Sequence, residues 1–228
     1  GDHRDLHLSI RRQRQMCIRD SLYFALINRN KKSISLDLKT GSGIEKLKEL
    51  VGGADILVEN FRPGVTKRLG VDYETMREIN PRLIYLSISG FGQDGPLAGK
   101  PAFDTVVQAM SGIMATTGTK DADPTRVGES VADIITGIYG AWALSTALYS
   151  RSENNEGLYL DLAMFDALFT SQVTNLSQLI ATNSAPGRIG NRHPASAPFD
   201  SFTASDGQVI IAASTKTMFD QLCIFLAC

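Results

Sequence analysis

ADILVENFRPGVTKRLGVDYETMREINPRLIYLSISG, residues 54–90, decides the fold. Its two ends, ADILVEN (54–60) and RLIYLSISG (82–90), are short apolar runs of strand length. Between them lie a turn at Arg62-Pro63-Gly64 and two short helical segments, VTKRLG and YETMREIN. Strand, helix and strand at this spacing predict βαβ units and a largely parallel sheet with helices on both faces. Upstream, SISLDL (33–38) reads as another strand. It is followed by the Gly41-Ser42-Gly43 loop and an amphipathic helix, IEKLKELVGG, with Ile44, Leu47, Leu50 and Val51 on one face. Downstream, FDTVVQAMSGIMATTG and IITGIYGAWALSTALYSR read as helices rich in small and apolar residues. LYLDLAM (158–164) returns as a strand, and FDALFTSQVTNLSQLIA reads as one long helix. Gly, Pro and Ser concentrate in 184–198, the expected linker, and residues 199–228 open a second unit with a hairpin turning at Asp206-Gly207.

The 228 residues are 43% hydrophobic and 21% charged, as expected of a globular chain. A net charge of −1 supplies no basic field for nucleic acid. Cys17, Cys223 and Cys228 lie far apart, which disfavours a zinc cage, a disulfide framework or a dithiol redox site and makes a reducing, cytoplasmic setting the expectation. No run approaches the roughly 18 consecutive apolar residues of a spanning segment, so no membrane role is expected. Residues 1–20 carry five Arg and three Asp with no apolar period. The stretch RRQRQMCIRD resembles a translated sequencing-adapter tail, so 1–20 are set aside as a non-native leader. The far end, TMFDQLCIFLAC, stops in mid-pattern, which predicts a fragment.

Gly90-Phe91-Gly92-Gln93-Asp94-Gly95 spells G-x-G-x-x-G after a strand, but Pro96, Gly99 and Pro101 prevent a helix from starting inside it. A glycine-permitted loop is expected there rather than a dinucleotide site. With the leader set aside, His193 in the linker is the remaining histidine, so histidine chemistry and a metal site are not expected. Carboxylates, hydroxyls and backbone amides remain. Asp133, in RVGESVAD, stands where an extended segment becomes a helix, the setting of an N-cap. It reads either as a cap or as a carboxylate at a positive helix end, exposed to a cleft and able to attack a thioester carbonyl. Asn60, Phe61, Arg62 and Arg68 follow a parallel strand, at the end where such sheets place ligands. They read as an adenine and phosphate site, or as solvated charges around a core phenylalanine.

Taken in order, SLYFALINRNKKSISLDLKT, ADILVENFRPGVTKRLG, NPRLIYLSISGFGQDGP, PAFDTVVQAMSGIMATTG and RVGESVADIITGIYGA resemble the class III CoA-transferase family. That family holds formyl-CoA transferase and carnitine CoA-transferase, with the α-methylacyl-CoA racemases as relatives. The resemblance covers about residues 21–228. It implies a Rossmann-like α/β domain (21–183, lacking its first strand and helix) plus the start of a smaller domain (199–228), as a fragment of an interlocked homodimer. It implies Asp133 as the catalytic residue and, as coenzyme A contacts, Leu36, Asp37, Leu38, Lys39, Asn60, Phe61, Arg62, Arg68, Lys100 and Phe103. Gly99, Pro101 and Ala102 belong to the same looser segment as Lys100.

The implied reaction passes coenzyme A from an acyl-CoA donor to a carboxylic-acid acceptor through an aspartyl-CoA thioester. The CoA thioester is a substrate, with no tightly bound cofactor. Phe103-Asp104 stands where the racemases have a His-Asp pair, and a phenyl ring moves no proton, so acyl transfer is favoured over racemisation. An α-methylacyl-CoA racemase, an NAD-dependent oxidoreductase and a non-catalytic CoA-binding module stay open as alternatives.

Overall fold

The computed structural model describes residue 22 and residues 24–227. The expected leader, 1–20, lies outside the described residues. The chain divides into two compact units, one ending at Asp37 and one beginning at Leu38. In the first, residues 24–27 are helical and 31–37 run without regular structure. The expected strand at 33–38 is therefore not formed. Its alternation supplies a face, but a strand is completed by a neighbour's backbone, and Ile34 is left exposed.

The second unit opens with helix α1 (Gly41–Gly52), whose N-cap Thr40 accepts from the Gly43 amide at 3.1 Å. Strand β1 (Ile56–Glu59), helix α2 (Val65–Leu69), helix α3 (Tyr73–Ile79) and strand β2 (Ile84–Ser89) follow. Next come α4 (Asp104–Met110), α5 (Ile113–Thr116), the long α6 (Val131–Asn154) and strand β3 (Leu158–Ala163). The three strands form one parallel sheet in the order β1-β2-β3, with Leu57, Tyr85 and Tyr159 in one cross-strand row and Val58, Leu86 and Leu160 in the next.

Strand β2 is central and buried, which explains its nearly unbroken apolar run. One core cluster joins Val51 of α1 and Met76 of α3 to Val71, Leu83 and Tyr85. The Tyr85 hydroxyl donates to the Val71 carbonyl at 3.0 Å, so its polar end is satisfied inside that core. Helix α6 lies against β2 and β3, and at Gly140 a Cβ would stand 3.3 Å from a Leu86 methyl and 3.4 Å from one of Leu162. By length and composition α6 is long and apolar enough to cross a membrane. Its buried face is formed by Ala132, Thr136, Gly140, Ala147 and Arg151. At its far end Arg151 is buried and donates to the Arg82 carbonyl (2.9 Å), the Asp55 carbonyl (3.2 Å) and the Asp55 carboxylate (2.7 Å).

The single helix expected over 165–181 is two, α7 (Met164–Ser171) and α8 (Val173–Thr182), broken at Gln172. The hydroxyls of Thr170 and Ser171 bond back to the carbonyls of Asp166 and Leu168, at 2.7 Å each, and such back-bonding disfavours straight continuation. The Gln172 side-chain Nε2 meanwhile donates to the Ser111 carbonyl at 2.9 Å. Residues 199–203 and 208–212 form the expected antiparallel hairpin, β4 and β5, closed by the Ala204 amide on the Gly207 carbonyl at 2.8 Å. Helix α9 (Lys216–Leu226) follows.

Candidate active site

The parallel strands end at one edge, and the loops leaving them build an open cavity of about 380 Å³ there. Asn60, Phe61, Arg62 and Pro63 line it from the β1–α2 turn, and Ser89 and Gly90 from the end of β2. Lys100, Pro101, Ala102 and Phe103 come from the loop before α4, Asp104 from α4, Asp133 from α6 and Met164 from α7. Six residues singled out in the sequence thus meet around one space: Asp133, Asn60, Phe61, Arg62, Lys100 and Phe103. Leu38, half-buried, and the exposed Lys39 and Arg68 are not on its wall. Leu36, half-buried, and Asp37, exposed, close the first unit.

Helix geometry corrects one expectation. The N-cap of α6 is Ser130, which makes no capping side-chain bond, and Asp133 is the third residue of the first turn. The capping work is done from another helix, since Asp104 Oδ1 accepts from the Ala132 amide at 2.8 Å. Asp104 is positioned for this by the start of α4. Asp133 therefore makes no hydrogen bond or ion pair with a described residue, and its carboxylate is exposed to the cavity. Its carboxyl is held above the usual aspartate range, first by partial desolvation and then by the like charge of Asp104. A first-turn position pulls the other way, towards ionisation.

The β1–α2 turn is held from below. Glu59, buried, accepts from the Phe61 amide at 2.7 Å and from the Ser87 hydroxyl. Asn60 donates to the Ile88 carbonyl at 2.7 Å, so its amide nitrogen stitches β1 to β2 while its oxygen remains for a ligand. Arg62 and Lys100 are exposed on the wall and make no ion pair with a described residue, which suits them to anions. Phe103 is 77% exposed beside them, a bare apolar face next to the Asp133 carboxylate.

Residues 90–95 form a loop with Gly92 and Gly95 at positive φ, and no helix starts inside it. Gly90 is required by close approach, because a Cβ there would stand 2.3 Å from the Ala102 Cβ. Among the described residues no group of three or more His, Cys, Asp or Glu is placed to hold a metal ion. Sequence reasoning missed the part played by Asp104 and Gln108, although an Asp and a Gln four apart in one helix is a recognisable pairing signal.

The sequence profile of CoA-transferase family III matches residues 8–228, beginning inside the segment set aside as a leader. An acetyl-CoA:oxalate CoA-transferase of Acetobacter aceti is 50% identical over 204 residues, covering 89% of this chain and 52% of that protein. A succinate–glutarate CoA-transferase of Agrobacterium fabrum is 41% identical over 207 residues, covering 90% and 51%. The crystal structure of a CAIB/BAIF family protein from Brucella suis superposes with a TM-score of 0.79 at 40% identity, covering 88% of this chain and 53% of that one. The chain spans about half the length of the relatives it matches.

Proposed function

The chain belongs to CoA-transferase family III, and from that membership we propose that the full-length gene product moves coenzyme A from an acyl-CoA donor to a carboxylate acceptor, with Asp133 as carrier. The observation that carries this reading is the state of Asp133: exposed, free of capping duty, and facing a cavity walled by Asn60, Phe61, Arg62, Lys100 and Phe103. The Asp133 carboxylate attacks the donor thioester carbonyl, and thiolate leaves to give an acyl-aspartyl anhydride. The thiolate then attacks the aspartyl carbonyl, releasing the donor acid and forming an aspartyl-CoA thioester. The acceptor carboxylate attacks that thioester in turn, thiolate leaves again, and its return to the acceptor's carbonyl regenerates free Asp133. Each nucleophile is an anion already, so no general base is needed.

Arg62 and Lys100 supply the positive charge for coenzyme A phosphates, and Arg68, Leu38 and Lys39 extend the coenzyme site on the same reading. The acid exchanged is a short dicarboxylate, as the names of the oxalate and glutarate enzymes above suggest. The protein works as a homodimer, a reading supported by a stripe along α6 in which Ile134, Ile138, Trp142 and Tyr149 are all exposed.

The test is to incubate full-length protein with acetyl-, succinyl- and oxalyl-CoA and to look by intact mass for a hydroxylamine-sensitive CoA adduct on peptide 127–151. The adduct is expected with at least one donor and absent in Asp133→Asn. CoA binding without an adduct across the panel would instead indicate a non-catalytic module.

A further inference from the structure

Asp104 and Gln108 are buried neighbours on α4, and together they hold the segment that carries Asp133. Gln108 is fully buried and every polar atom of its side chain is used. Its Nε2 donates to Asp104 Oδ2 at 2.6 Å and to the Glu129 carbonyl at 3.2 Å, and its Oε1 accepts from the Val127 amide at 2.8 Å. The other Asp104 oxygen accepts from the Ala132 amide, the residue before Asp133. Two side chains one helical turn apart thus grip residues 127, 129 and 132 by their backbones, the whole approach to the first turn of α6. Such a fully paired buried network is stiff, and an approach segment with no regular structure of its own has few other restraints.

We propose that Asp104 and Gln108 are positioning residues for acyl transfer, fixing the Asp133 carboxylate at attacking distance and keeping it free by capping α6 in its place. This rests on Asp133 being the carrier. The charged groups around Asp133 are Asp104 itself and, on the cavity wall, Arg62 and Lys100.

The experiment measures single-turnover adduct formation in full-length protein, with donor KM and thermal midpoint alongside. Asp104→Ala removes the cap and lowers the rate at saturating donor by about a hundredfold, the cost of misplacing a reacting group by roughly 1 Å, with KM little changed. Gln108→Met, close in volume, lowers it similarly, and the double variant is no worse than either single one because the pair acts as a unit. In Asp104→Asn a side-chain oxygen still accepts from Ala132, so part of the rate returns. The acid limb of its pH–rate profile moves to lower pH, because the like charge beside Asp133 is gone.

Wild-type adduct formation combined with unaltered rates in Asp104→Ala and Gln108→Met overturns the positioning role while leaving the carrier intact. Losses that merely follow the folded fraction, or fall on KM alone, also overturn it. If Asp104→Ala does not fold, Gln108→Met and the pH limb of Asp104→Asn decide. Absence of any wild-type adduct removes the carrier reading itself.

Discussion

At the residue scale, the raised pKa of Asp133 has consequences for rate and for stability. On the proposed mechanism the carboxylate form is the nucleophile, so the acid limb of the pH–rate profile is expected above the range of an ordinary aspartate, and a pH series of adduct formation checks it. The linkage has a definite sign. The folded state disfavours the ionised form, so the cost is absent where Asp133 is protonated in both states and develops as pH rises through the raised folded value. Asp133→Asn is therefore expected to raise the thermal midpoint near neutral pH while abolishing the adduct, and the gain should vanish towards acid. A midpoint that falls at neutral pH would contradict this. Ser87 offers a second case, since its hydroxyl satisfies one oxygen of the buried Glu59. Ser87→Ala is expected to cost about 1–3 kcal/mol in chemical denaturation, and to loosen the turn that carries Asn60, Phe61 and Arg62.

At the element scale, the entry to β3 depends on one glycine. A Cβ at Gly157 would stand 2.2 Å from the Leu83 carbonyl oxygen, a backbone atom that cannot swing aside. The Gly157 amide also donates to the Pro81 carbonyl at 2.8 Å. Gly157→Ala is expected to destabilise the fold by about 1–3 kcal/mol, read from the urea midpoint. This scale also shows what the sequence made legible. Strands β1, β2 and β3 and helices α1 to α3, α6 and α9 follow from apolar period and turn residues, because each is a local pattern that tertiary packing reinforces, whereas the helix expected over 103–118 is broken at Gly112, at positive φ, into α4 and α5. The strand expected at 33–38 does not form, since alternation cannot say whether a partner is present. The break at Gln172 was hidden because it arises from hydroxyls bonding back to the helix and from a contact with Ser111, 61 positions away in sequence. In the site, Asp133 is legible by its place at a helix start, but sequence leaves open whether it caps that helix. The cap comes from Asp104, 28 positions upstream of the Ala132 amide that it accepts from, and no local pattern reveals a helix capped by another helix.

At the scale of the whole molecule, the exposed stripe on α6 points to a second surface. Sedimentation of the full-length protein is expected to give twice the chain mass, and Trp142→Asp, at a position 68% exposed, is expected to shift it towards monomer. An unchanged mass distribution in the variant would rule out that stripe as a contact between copies. The same helix joins the cavity end of the domain to its opposite end. Asp133 stands in the first turn and Arg151 near the last, about 27 Å apart at 1.5 Å per residue, with Gly140 seated against the sheet between them. The rod is held at both ends, by Asp104 on the Ala132 amide and by Arg151 on Asp55 and Arg82, and a tilt of roughly two degrees about the Arg151 end would strain the near clamp by about 1 Å, which on the proposed mechanism is enough to cost about two decades in rate. If Asp133 is the proposed carrier, its accuracy is shared between the clamp beside it and a guanidinium at the opposite end of the helix, and slackness at that remote anchor would first be felt as slow chemistry.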